Sequence, residues 1–397
     1  MQRSRESRMT IKSKYAVAIA NPFVWPYVRR GAERMLNDMA AYLKNRGYAV
    51  CVYAMAPQRE KEERDGITYF LTKERFKSGK RQFNSCHYFA FALQKILREK
   101  PLDIVHCLSY FDAYAAIKAR ERFRLDYKVV FQSGGIPVRQ YFRAVPIDWF
   151  FFRKVIRKAD AVLVVSRFAQ EKLKQDFSCE SEVMPPPVAV ESFWRKGPDT
   201  EPNPAEPKIL FVGDVTEHRK GAQVLCKAFA EVKKVYSKAT LHLSGKINQT
   251  VISNLLKEKD IRSAADDIHF LGLGTVGQLP SLYRSASVTV LPAVWEAFGL
   301  VLVESLAAGT PIVGVNHGGI PDIISDRAVG SLFEPAPFQE QTLNVKGLTR
   351  AILKTLQTVQ TKEQIRRTQK LCGRHADKFS WSALGPSYEN LYQRLMN

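Results

Sequence analysis

Short runs of branched apolar residues alternate along this chain with longer stretches that are apolar at helical spacing. YAVAIA (15–20), AVCVYA (49–54), DIVHCL (103–108), KVVFQ (128–132) and AVLVVS (161–166) read as strands buried on both faces. Between the first two, AERMLNDMAAYLKNRG (32–47) reads as an amphipathic helix stopped by Gly47. Such alternation predicts a doubly wound parallel sheet. The rhythm breaks at 183–208, where seven prolines can continue neither a helix nor a central strand. It resumes with KILFVG (208–213), ATLHLSG (239–245), DIHFLG (267–272), SVTVLP (287–292) and TPIVGV (310–315), a second sheet of the same kind. The closing WSALGPSYENLYQRLMN reads as a helix packed through an aromatic stripe and crossing back to the first domain. The expected class is therefore α/β, two doubly wound Rossmann-like domains facing a cleft. The first spans 1–190 plus the terminal helix 381–397, the linker 191–207, and the second domain 208–380.

Length and composition agree with this. At 397 residues the chain suits two domains, and 45% apolar residues with no low-complexity region mark it as globular. No apolar run approaches the ~20 residues of a membrane-spanning helix. The basic start MQRSRESRMTIKSK lacks an apolar signal core, so it reads as an exposed tail on a cytoplasmic protein. Cysteines at 51, 86, 107, 179, 226 and 372 form no C-x-x-C pair, which disfavours a disulfide or zinc framework. Nor does any His/Cys/Asp cluster show metal-ligand spacing, so no metal and no cofactor is expected. The net charge of +21 is lopsided: 35 Lys+Arg against 19 Asp+Glu in residues 1–190, and 25 against 20 thereafter. One domain is thus suited to an anionic partner; a merely solvated surface is the plain alternative.

The chemistry concentrates in WEAFGLVLVESLAAGTPIVGVNHGGIPD, residues 295–322. A strand, a loop, a helix stopped by Gly309 and a further strand place Glu296 in the loop at a carboxyl strand end, where open α/β sheets bind ligands. Glu304 falls within the helix and can lean back towards its start. Around Phe298, Gly299 and Leu300 the helix mouth offers N–H groups and a positive dipole end to an anion. Ribose or sugar hydroxyls would satisfy the two carboxylates. Gly318 and Gly319 allow close backbone approach, and Pro321 can start the next helix. For either glutamate alone, a solvated loop or a satisfied core carboxylate is the simpler reading; the ordered set favours a ligand. GLGTVG (272–277) matches a dinucleotide motif, but Pro280 would break the helix that motif requires. Gly272 and Gly274 then form a loop able to approach a base.

EAFGLVLVESLAAGTPIV followed by GGIPD resembles the E-x7-E signature of retaining glycosyltransferases of the GT-B fold, family 4 type. FVGDVTEHRKGAQVLCKAFAEV (211–232), GAERMLNDMAAYLKNRGYAVCVY (31–53) and ADAVLVVSRFAQEKL (159–173) resemble further segments of that family in the right order. The resemblance implies a first domain that binds the acceptor and a second that binds a nucleotide-diphosphate sugar. It implies that Glu304 holds the ribose, and that Glu296, with Phe298 and Gly299, contacts the donor sugar and supports positive charge at its anomeric carbon. Lys220 would neutralise the diphosphate, with Arg219, Gly213, Leu300 and Gly272 beside the donor. Arg30 and Gly31 would lie on the acceptor side. Transfer would retain configuration without a metal, and the leaving phosphate would assist deprotonation of a glycan, glycolipid or lipid-linked acceptor.

Three positions depart from the family pattern. Asp214 stands where an Arg is usual, and would oppose a diphosphate by roughly 1–4 kcal/mol at 4 Å. Ser133 falls where a catalytic His is usual, with Gln132 and Gly134 as alternatives for the acceptor side. Arg30-Gly31 replaces a glycine pair. His106 ends a strand and either lines the cleft as a catalytic candidate or is a satisfied core histidine; His218 and His317 sit in ligand-side loops. YFRAVPIDWFFFRKVIRKAD (141–160) mixes aromatics and bases, either to meet an anionic membrane at its inner face or to bury Phe150 and Phe151 with a wet basic side. No nucleic-acid recognition pattern occurs. A non-catalytic partner subunit and a nucleotide-sugar epimerase are the rival classes.

Overall fold

The computed structural model describes residues 14–28, 30–74, 84–194, 201–274, 277–336 and 344–397. The basic start of the chain to residue 13 and part of the proline-rich stretch, 195–200, lie outside them. Two compact units emerge: residues 1–133, 140–162 and 390–397, and residues 134–139 and 163–389.

Strands β1 (Ala16–Ala20), β2 (Ala49–Ala56), β3 (Glu60–Arg64), β4 (Ile67–Lys73), β5 (Ile104–Cys107), β6 (Lys128–Ser133), β7 (Ala161–Val164) and β8 (Glu182–Val183) form a sheet in the order β3-β4-β2-β1-β5-β6-β7-β8. Its centre is parallel and apolar on both faces: Val17, Ile19, Val52, Ile104, Val105, Val129 and Val130 have no exposure at all. β3 and β4 are not among the strands expected from the hydrophobic pattern. They form an antiparallel hairpin at the edge, turned by Asp65 and Gly66, both at positive φ. That Asp-Gly pair is the sequence signal for such a turn, but the charged run EKEER hides the first strand.

The second sheet comprises β9 (Lys208–Val212), β10 (Thr240–Ser244), β11 (Ile268–Gly272), β12 (Val288–Leu291), β13 (Ile312–Val315) and β14 (Gly330–Phe333). All its pairings are parallel, in the order β11-β10-β9-β12-β13-β14. The strand order reverses between β9 and β12, the kind of position at whose carboxyl strand ends open α/β sheets bind ligands. Two α/β units with parallel sheets are thus present.

The border between the units at 162/163 precedes the proline-rich stretch, whose described residues are tied into the second unit. Val188 N–H donates to Phe379 O at 2.8 Å, and Val188 pairs with Ser380 as an isolated bridge. The terminal helix Trp381–Met396 contributes residues 390–396 to the first unit, which also takes in Asn397. Its aromatic stripe is packed: Tyr388 and Tyr392 are fully buried.

In the basic-aromatic segment, the helix Pro146–Lys158 buries Asp148, Phe151, Phe152 and Val155. This corrects the expected pair. Positions 148, 151, 152 and 155 share one helical face, which leaves Phe150 59% exposed beside the exposed Arg153 and Arg157.

Candidate active site

Three loops leave the carboxyl ends of adjacent strands in the second unit. After β9 comes 213–221, after β12 comes 292–299, and after β13 comes 316–319. They are pinned to one another through backbone. Val294 N–H donates to Arg219 O at 3.0 Å, and Gly319 N–H donates to Glu296 O at 2.8 Å. The second contact needs glycine: a Cβ on Gly319 would lie 2.1 Å from Ala297 O, and one on Gly318 would lie 2.4 Å from Glu296 O. Gly213 and Gly245 approach as closely, since a Cβ on Gly245 would lie 1.8 Å from Gly213 O. Gly245 N–H in turn donates to Gly272 O at 2.8 Å, which joins the ends of β9, β10 and β11.

Across the strand-order reversal, Lys220 Nζ donates to Glu296 Oε2 at 2.6 Å. Their side chains are 19% and 15% exposed, so the pair is neither dry nor fully wet. Lys220 ends a 3-10 turn, His218–Lys220, that hands the chain through Gly221 to the helix Ala222–Lys233. Arg219 points its charge at Glu217 at 2.6 Å and reaches Trp295 O at 3.5 Å. Arg219 therefore braces the loop carrying Glu296. Trp295 itself sits at φ +58°, a region bulky residues rarely occupy. Its ring meets His317 edge-on at 5.3 Å, and Phe168 packs on both.

Gly299, at φ +108°, caps the helix Leu300–Ala307, and no side chain caps it. Its mouth therefore retains N–H groups with no place in the helical ladder. Phe298 is 3% exposed and packs edge-on against Phe379, so only its backbone is available to a ligand. Glu304 is 4% exposed and accepts from Tyr283 Oη at 2.8 Å. The sequence carries no signal that would have paired Tyr283 with Glu304.

Asp214 accepts from Thr216 N–H at 2.9 Å and Thr216 Oγ1 at 2.5 Å, and its second oxygen lies 3.9 Å from Lys246 Nζ. Its carboxylate thus closes a turn of its own loop next to a cation, which offsets the repulsion expected of a lone acid.

In the first unit, His106 lies in mid-sheet with no exposure. Its Nδ1 meets Tyr392 Oη at 2.8 Å and its Nε2 meets Gln132 Oε1 at 3.0 Å. Burial pushes its pKa down to about 4. This is the core-histidine alternative: both ring nitrogens are occupied, and Gln132, 1% exposed, is committed to the same bond. Ser133 is the last residue of β6. Gly134 and Gly135 are exposed, and a Cβ on either would meet nothing within 4 Å, so close packing does not require glycine there. Arg30 precedes the helix Gly31–Asn45 and its guanidinium donates to Glu33 at 3.0 Å. Among the described residues no group of three or more His, Cys, Asp or Glu could hold a metal ion, and no helix is long and apolar enough to cross a membrane.

Residues 192–368 match the family described as glycosyl transferases group 1, and residues 29–192 match glycosyltransferase family 4. A D-inositol 3-phosphate glycosyltransferase of Segniliparus rotundus is 25% identical over 241 residues, 58% of this chain and 51% of that protein. The chain thus spans about half the length of that curated relative. Sucrose-phosphate synthase from Thermosynechococcus elongatus superposes with a TM-score of 0.79 at 18% identity, over 96% of this chain and 99% of that one. Anabaena HepE in complex with UDP and glucose superposes with a TM-score of 0.70 at 15% identity, over 95% and 99%. At such identities the likeness concerns the fold.

Proposed function

Since the chain belongs to the family 4 type of GT-B glycosyltransferases, we propose that it moves a sugar, with retention and without a metal, from a nucleotide-diphosphate sugar to a glycan, glycolipid or lipid-linked acceptor. The observation that carries this reading is the Lys220–Glu296 pair, set at the reversal point of the second sheet beside an uncapped helix mouth. In this reading the donor diphosphate lies across the mouth of the helix Leu300–Ala307. Lys220 exchanges part of its bond with Glu296 for a phosphate oxygen, and the helix dipole adds to its charge. Glu296, so released, faces the sugar and stabilises positive charge at the anomeric carbon as the diphosphate departs. Glu304 accepts from the ribose hydroxyls, with Tyr283 fixing the carboxylate from behind. The ends of β9, β10 and β11, drawn together at Gly213, Gly245 and Gly272, form the floor for the base. HepE, solved with UDP and glucose, supports a donor of this class.

The test is calorimetry with UDP-, GDP- and ADP-sugars, followed by NMR of the anomeric proton of the transferred sugar. Binding of one donor and a product of the donor's own configuration support the reading. A donor that binds without turnover would favour the partner-subunit alternative, and turnover without acceptor the epimerase. The exposed Phe150 flanked by Arg153 and Arg157 is suited to an anionic membrane surface at the inner face of a membrane, where lipid-linked acceptors reside. Sedimentation with vesicles containing phosphatidylglycerol tests this, and Phe150→Ser should reduce the bound fraction.

A further inference from the structure

The helix Lys362–Ala376 lies in the second unit and packs on the helix Leu300–Ala307. Ile365, Thr368, Cys372, His375 and Ala376 form its buried face, and His375 Nε2 donates to Ile323 O at 2.8 Å. Lys362, Arg366, Lys370 and Arg374 follow one another at four-residue spacing. Arg367 lies beside them and Lys378 just past the helix end, and all six are exposed. At about 100° per residue the five cations of the helix fill an arc of about 140°, opposite the buried face and about 18 Å long. Only Glu363 and Asp377 are acidic in residues 362–378. Elsewhere helical cations meet acids: Lys154 bonds Glu121, Lys227 bonds Glu258 and Lys234 bonds Glu231. Among the described residues none of the six is in such a pair. Four-residue spacing sets like charges side by side, which weakens a helix rather than supporting it. At one flank of the arc lies Trp194. Its ring covers Gly373, where a Cβ would come within 2.9 Å of Cζ3, yet Trp194 stays 51% exposed.

We infer that this face of the second unit seats on an anionic lipid bilayer, with the basic stripe on the phosphates and Trp194 at head-group level. Long Lys and Arg stems let cations spread over an arc reach a single plane. Lipid head groups are laterally mobile, so they match the cations at whatever spacing the helix sets. A duplex or another rigid polyanion carries its charges at fixed spacing and would meet only part of a curved arc. A half-exposed indole, apolar in body with one N–H, suits the boundary between head groups and acyl chains. Each Lys or Arg held near such a surface strengthens partition about fivefold. The contact is distinct from the one carried by Phe150, Arg153 and Arg157, which belong to the first unit. It requires neither donor nor acceptor, so it stands apart from the transferase reading.

The experiment sediments the full chain with vesicles of phosphatidylcholine alone and of phosphatidylcholine mixed with phosphatidylglycerol. The unaltered protein should bind the mixed vesicles, bind the neutral ones far less, and be released as salt screens the charge. The double variant Arg366→Gln, Lys370→Gln should partition tenfold or more weakly into the mixed vesicles. It should melt within about 2 °C of the unaltered protein, because exposed positions without partners contribute little to stability. A second pair, Lys362→Gln with Arg367→Gln, should repeat the loss, and Trp194→Ser should lower binding a few-fold. The same losses should appear in a Phe150→Ser background, which separates this contact from that of the first unit. Equal binding by the unaltered protein and both double variants would overturn the inference. So would a loss confined to a variant whose melting temperature falls. Retention on heparin that depends on the stripe, with no dependence on it for vesicles, would reassign the face to a rigid polyanion and equally overturn it.

Discussion

Lys220 Nζ and Glu296 Oε2 stand 2.6 Å apart, although 76 residues separate them in the chain. The bond closes the gap between the loops that leave β9 and β12. It also balances the charge of both groups, and in the proposed reading a diphosphate competes for the lysine. Lys220→Ala should therefore weaken nucleoside-diphosphate binding tenfold or more and leave Glu296 an unpaired acid near the phosphates. Glu296→Gln should keep nucleotide affinity within about threefold while kcat falls by about 10²-fold, the scale of losing one charge-stabilising contact in a transition state. Calorimetry and initial-rate kinetics read both. A double variant should be less impaired than the two single losses combined, because the partners act as a unit.

Glu304 and Tyr283 separate support from recognition. Tyr283→Phe removes one buried hydrogen bond and should cost about 1 kcal/mol of stability, with nucleotide affinity falling only a few-fold. Glu304→Ala should lower nucleotide affinity by tenfold or more. Equal affinity losses for the two variants, tracking equal losses in melting temperature, would remove Glu304 from the ligand.

The glycine contacts give a steric prediction. Gly319→Ala places a carbon 2.1 Å from Ala297 O, so the loop bearing Glu296 must move. Donor binding should drop sharply, whereas Gly134→Ala, which meets no neighbouring atom, should leave melting temperature unchanged. Thermal melts and donor titrations compare the two.

His106 sets a pH dependence. Burial lowers its folded pKa to about 4 from 6.5, so between those values the unfolded chain binds the extra proton. Its contribution to stability is fully present above pH 6.5 and is lost as pH falls towards 4, by up to about 3 kcal/mol for this group. His242 shifts the same way, from 6.5 to about 4, and adds to the slope. Denaturant melts from pH 4 to 7 should show the decline, and His106→Gln should flatten it in part.

Much of this molecule is legible from local order alone. Branched apolar runs such as those of β1, β5 and β9 can be satisfied only inside a sheet covered on both faces, and their alternation with helices dictates parallel crossovers. The place of Glu296 in a loop at a carboxyl strand end, and the glycine that opens the following helix, are legible in the same way, because strand and helix periods are properties of a few consecutive residues. The tertiary structure decided the pairings. Nothing near Lys220 in the chain names Glu296, nothing near Glu304 names Tyr283, and nothing near His106 names Tyr392, 286 positions away. The same holds for the basic stripe from Lys362 to Lys378: its spacing is visible in the sequence, but whether distant acids would come to pair with it was decided only by the folding of the second unit. Hydrophobic period is a short-range signal, whereas hydrogen-bond satisfaction depends on which distant groups folding brings within 3 Å.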